Sequence, residues 1–148
     1  MRNFLVLAMS FLACLSAEAN EWGQLTPTSY LLVPAENMKI LAAAALVEDQ
    51  IRTSLMDVSG KMCGKSETSD LSEAGPYKIN GVNVRFTEAC INGTRVLAPT
   101  TPEGKEFFTH AITTGPTTVE FDFGVVLHFD GQGFDAVKKA LLETKSAL

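Results

Sequence analysis

Between Thr117 and Asp130 the chain reads T-T-V-E-F-D-F-G-V-V-L-H-F-D, with apolar residues at every second position: Val119, Phe121, Phe123, Val125, Leu127 and Phe129. Unbroken alternation of this kind predicts a β-strand with one buried face. As a single strand it would run about 36 Å at about 3.3 Å per residue, against about 17–20 Å for an ordinary strand. Gly124 lies near its middle, and a bend or bulge is expected there. Glu120 and Asp122 fall on the other face about 7 Å apart, a spacing at which two carboxylates can do acid–base work. Acids on the wet face of an amphipathic strand are also the ordinary solvent pattern, and that reading is preferred.

A second periodic stretch runs from Pro34 to Ser59. Pro34 suits a first helical position and Glu36 suits the positive end of a helix. Ile40, Ala44, Val47, Ile51, Leu55 and Val58 then recur at spacings of three and four. This predicts one long amphipathic helix, stopped by Gly60 and about 36 Å long. The run Ala42-Ala43-Ala44-Ala45 is thin enough for another element to approach closely. The matching lengths of helix and strand make their contact the expected centre of the fold.

Shorter signals fill the rest. Thr28–Val33 is a strand candidate, and Gly60–Gly75 has the composition of a loop. Asn80-Gly81 and Asn92-Gly93 mark two tight hairpins. The first pairs Ile79 with Val82 and Tyr77 with Val84. The second groups Ala89, Ile91, Val96 and Ala98 on the opposite face, so a break is expected near Thr87-Glu88. Pro99–Lys105 reads as a loop. Glu106–Thr113 reads as a strand returning into the Phe-rich stretch. That pairing sets His110 against Phe121, Phe108 against Phe123, and Phe107 over Gly124. Gly133–Lys145 carries Phe134, Val137 and Leu141 at helical spacing.

The expected fold class is therefore α+β: one long helix packed across a curved antiparallel sheet of about five strands, with a short C-terminal helix. This order of elements is similar to that of cystatin-like rolls, as an analogy of order alone. The Q-x-V-x-G loop of cystatin inhibitors is absent, and function does not follow from fold.

The first nineteen residues read as a cleaved signal peptide. Met1-Arg2-Asn3 is a short positive start, Phe4–Leu15 an apolar core too short to span a bilayer, and Ala17-Glu18-Ala19 a cleavage site. Residues 20–148 then form a single α+β domain beginning at Asn20. Export to the periplasm or the extracellular space is expected, with a lipoprotein anchored through Cys14 as the alternative. Removing Arg2 and Glu18 together leaves the net charge at −5. With no basic stripe, nucleic acid is a poor partner. No later segment is apolar enough to be a transmembrane helix.

Once Cys14 is set aside, Cys63 and Cys90 remain, and an oxidising compartment would join them. Closing that loop contributes roughly 3–4 kcal/mol in the chain-entropy treatment. No nearby histidine completes a zinc set, and neither a metal nor a cofactor is expected.

Trp22, in the polar segment before Pro27, reads as a tether to the body or as a partner contact. The pairing places His110 among apolar neighbours, where Phe108, His110, Phe121 and Phe123 would line a ligand pocket beneath the long helix. His128 and Asp130, two positions apart on one face, form a candidate pH-sensitive pair. None of the nucleophile, zinc-protease or phosphate-loop motifs is present. The expected function is a non-catalytic exported protein that binds or inhibits another protein or envelope component. The alternatives are a carrier of a small apolar ligand, or a small enzyme using His110 in that pocket.

Overall fold

The computed structural model describes residues 18–147. The leader and Cys14 readings lie outside the described residues, apart from Glu18 and Ala19. Among the described residues the chain forms, in order, β1 (Trp22–Thr26), β2 (Ser29–Leu32), β3 (Ile40–Val47), β4 (Gln50–Asp57), β5 (Ser72–Ile79), β6 (Val82–Ile91), β7 (Thr94–Pro99), α1 (Pro102–Thr114), β8 (Pro116–Glu120), β9 (Val126–Asp130) and α2 (Phe134–Ser146). The strands make one nine-stranded sheet in the order β1-β2-β3-β4-β7-β6-β5-β8-β9. Every strand pairing in it is antiparallel. The sheet curls until its last strand meets the segment after β2, where the Ala35 N–H donates to the His128 carbonyl at 2.8 Å.

Both helices lie inside the curl. Phe108, Ala111 and Ile112 of α1 pack against Leu32, Leu55, Ile79, Phe86, Leu97, Val119, Leu127 and Phe129, all buried. On α2, Phe134, Val137 and Leu141 close over Ala44, with Tyr30, Leu46 and Ile51 at the margin. The alanine run thus gives the close approach expected of it, but from a strand. Trp22 touches both clusters.

The predicted architecture of a long helix on about five strands is overturned, and each misreading has a physical cause. Residues 34–59 hold no helix; they hold the β3–β4 hairpin. A spacing of four is one helical turn and also two strand periods, so Ile40, Ala44, Ile51 and Leu55 satisfy either. The register Ala42↔Leu55, Ala44↔Thr53 and Leu46↔Ile51 puts these positions on one face. The hairpin turns at Glu48-Asp49, both left-handed with φ of 50° and 64°. Turns of this type usually advertise themselves with Asn or Gly. This one does not.

Glu106–Thr113 is helical rather than extended. The helix begins inside the stretch that composition marks as a loop: Thr101 Oγ1 accepts from the Gly104 N–H at 3.0 Å, Pro102 occupies the first turn and Glu103 supplies its acid. Thr-Pro-Glu is a helix-start signal. Phe108, Ala111 and Ile112, at i, i+3 and i+4, are its buried face. Phe107, expected over Gly124, stands instead on the outer flank of α1.

The long alternating strand is two strands folded back on each other. β8 and β9 pair through Thr117↔Phe129 and Val119↔Leu127. Gly124 is the reversal, with φ 81°. Phe121 N–H donates to the Val125 carbonyl at 2.9 Å across the turn. Alternation survives because the register returns odd positions to the same face. The two Asn-Gly hairpins keep the expected pairs, Tyr77↔Val84, Ile79↔Val82 and Ala89↔Val96. The break expected at Thr87-Glu88 is absent, because β6 is continuous. The irregularity lies instead in the partner strand, between Ala74 and Tyr77 of β5 and across from Arg85, where Pro76 has no N–H to give the ladder.

Two seams in the sheet are short. β4 meets β7 through Leu55↔Leu97, Met56↔Val96 and Asp57↔Arg95 alone. β5 meets β8 through Lys78↔Glu120 and Ile79↔Val119 alone.

Candidate functional site

The β4–β7 seam opens into a groove. Beyond Leu55↔Leu97 the two strands part: Gln50–Ser54 runs on without a partner on that side, and β7 ends at Pro99. Pro99 cannot donate a ladder hydrogen bond, which favours divergence there. The chain then turns into α1, whose outer flank becomes the floor. The groove holds about 1200 Å³ and is lined by Ala45, Val47, Gln50–Ser54, Ile91, Val96, Ala98, Glu103, Lys105, Glu106, Phe107, Thr109, His110 and Thr113. Its walls are largely small or apolar, and the charges of Arg52, Glu103, Lys105 and Glu106 stand on the rim.

α1 is fastened under the gap by a hydroxyl pair. Thr53 Oγ1 and Thr109 Oγ1 are 2.6 Å apart, joining strand to helix where no ladder does so. Within α1, the Thr113 and Thr114 hydroxyls donate back to the carbonyls of Thr109 and His110 at 2.6 and 2.7 Å.

The structure distributes the sequence-derived pocket residues over three places. Phe108 is fully buried, in edge-on contact with Phe86 at 5.8 Å. His110, two positions on and so about 200° round the helix, is exposed and faces the groove. Phe121 is buried against Tyr77, with ring centroids 4.8 Å apart. Phe123 is 53 % exposed at the β8–β9 turn and stacks on Phe121 at 5.0 Å. These four side chains do not line one cavity.

Trp22 lies half-buried on the body. Its ring packs on Phe134 at 5.2 Å and its indole N–H donates to the Gly131 carbonyl at 3.2 Å. Cys63 and Cys90 are joined in a disulfide. Their sulfurs and a Glu67 carboxylate oxygen cluster within 4.8 Å, but sulfurs bonded to each other offer no thiolate to a metal. Glu67 is already engaged by the Gly64 N–H at 2.6 Å.

His128 has a different partner from the Asp130 that sequence suggests. Its Nδ1 pairs with Glu36 Oε1, and its backbone N–H donates to Glu36 Oε2 at 3.0 Å. Burial works against the Glu36 charge, but the hydrogen bonds from the His128 backbone and ring outweigh it and hold the carboxyl below its ordinary range. Inside the sheet, burial pushes the Tyr77 phenol up, with Arg95 opposing. Arg95 is itself bound through Nε to Glu88 at 2.5 Å.

The groove residues that sequence reading missed are Ile51, Thr53, Val96 and Ala98. Period-two reading of I-R-T-S-L would have placed Ile51, Thr53 and Leu55 on one strand face, and the terminal Pro99 marked where β7 had to stop. Searched against family models, curated proteins and solved structures, the chain matches none of them.

Proposed function

We propose that this chain is an exported, non-catalytic protein that binds a macromolecular partner through the groove between β4 and β7. The observation that carries the reading is the groove itself: about 1200 Å³, small and apolar along its walls, and charged at its rim. Binding surfaces combine an apolar centre with a polar margin in this way. Export is supported by the Cys63–Cys90 disulfide, which belongs to an oxidising compartment. Among the described residues no helix is long and apolar enough to cross a membrane.

The test is capture from a periplasmic or secreted extract with the wild type beside Ala98→Trp, which fills the groove without touching the core. A partner retained by the first and lost by an equally stable second is the expected result. Equal retention by both would remove the groove from the function. A second reading, carriage of a small apolar ligand, is favoured by Ile51, Val96, Ala98 and Phe107 sharing the groove. Native mass spectrometry of the purified protein, with and without Ala98→Trp, reads it directly as an added mass that the variant lacks.

A further inference from the structure

The phase of the β-ladder says what kind of chain the groove receives. Val58 N–H donates to Lys39 O, and Leu46 N–H donates to Thr28 O. Even-numbered residues of β4 therefore aim their main-chain groups at β3, and odd-numbered ones aim the opposite way. Leu55 and Asp57 spend theirs on β7. Ile51 and Thr53 come next in the same direction, and there β7 has already left. Their N–H and C=O groups point into the groove with no strand opposite. Edges of this kind are normally blunted by proline, lysine or a bulge. Gln50–Ser54 carries no proline, lysine or bulge, Arg52 being its one charge, and pairs regularly with β3 throughout.

We infer that the groove takes an extended peptide segment of the partner as an added strand, hydrogen-bonded to the main chain of Ile51 and Thr53. This deepens the groove-binding reading and rests on it. Strand addition takes its affinity from main-chain hydrogen bonds and its specificity from pockets for alternate side chains. The geometry fits that division. One set of side chains on the added strand faces Phe107 on the floor, on the side of Ile51 and Thr53, and the other faces outward on the side of Arg52, Val96 and Ala98. A rounded ligand would leave the row of main-chain groups unused; an extended backbone satisfies them.

The probe is a six-residue peptide of alternating valine and threonine, flanked by lysines for solubility, beside a copy N-methylated at alternate amides. Each is titrated into the ¹⁵N-labelled full chain. The first peptide is expected to shift the amides of Ile51, Thr53, Val96 and Ala98 and to slow exchange at Ile51 and Thr53. The methylated copy is expected to bind about tenfold more weakly, because the strand's carbonyls lose their donors. Equal binding of the two would overturn strand addition and leave groove binding standing. Binding of neither would overturn strand addition, with the Ala98→Trp capture deciding the groove separately. Slowed exchange at Ile51 and Thr53 that grows with protein concentration alone would assign the edge to a second copy of the chain and overturn the partner peptide.

Discussion

A β-carbon placed on Gly131 would overlap the carbonyl oxygen of Ile112. This contact brings the end of β9 against the last turn of α1. Two further bonds converge on the same glycine: its N–H donates to Gly115 O at 3.1 Å, and its carbonyl accepts from Trp22 at 3.2 Å. Gly131→Ala is therefore expected to cost about 3 kcal/mol, the upper end of overpacking penalties. Gly23→Ala in β1, where nothing lies within 4 Å of the added carbon, should stay within about 0.5 kcal/mol. Urea midpoints of the two variants check this, and equal shifts would refute it.

The Glu36–His128 pair makes stability depend on acid. A carboxyl held below its usual range stabilises the fold while ionised. Its contribution is complete above the ordinary unfolded-chain value of 4.5 and disappears as pH falls through the lower folded value. Denaturant midpoints for the wild type and Glu36→Gln should differ at pH 7 and converge toward pH 3. A gap of constant size at both pH values would mean that Glu36 acts by something other than its charge.

Labelling of the unreduced protein should find no thiol at Cys63 or Cys90. Replacing both by serine should lower stability by about 3 kcal/mol in the chain-entropy treatment. The segment before β5 should lose most, since Ser69 N–H donates to Cys90 O at 2.9 Å beside the bridge. Calorimetry with and without reductant reads the first effect, and limited proteolysis between β4 and β5 the second.

His110 and Phe108 separate the two faces of α1. His110→Ala should change stability by less than about 0.5 kcal/mol, being exposed. Phe108→Ala should cost about 3–5 kcal/mol, because its ring is fully buried. Similar losses at both positions would contradict the helical reading of this stretch and favour the extended one.

How much of this was legible depended on whether a signal was unique to one structure. Asn-Gly at residues 80–81 and 92–93 has one common use, and both hairpins stand where it puts them. Phe134, Val137 and Leu141 sit at a spacing that strands do not share, and α2 follows. The spacing of four in Ile40–Leu55 belongs to helix and strand alike, and the turn that would have decided it is built from Glu48 and Asp49. Alternation in the Phe-rich run marks the buried face of Val119, Phe121, Leu127 and Phe129 but not the length of the strand, since a hairpin that preserves parity looks continuous. The groove was illegible for a different reason. It consists of a pairing that stops, and the stopping depends on β4 and β7 meeting across roughly forty residues of intervening chain.

The short seams give this sheet an order of assembly. β1–β4, β5–β7 and β8–β9 are each joined internally by turns of a few residues and can close early. Leu55↔Leu97 and Ile79↔Val119 must bring together distant parts of the chain for very few ladder bonds, so the blocks zip first and dock last. Phe108, carried by the segment between the second block and the third, sits in the core cluster that draws side chains from all three blocks. Until the blocks dock, the whole β4 edge from Ile51 to Asp57 is open to any passing strand. The same gap that would welcome a partner in the finished protein is where a nascent chain is most exposed to mispairing.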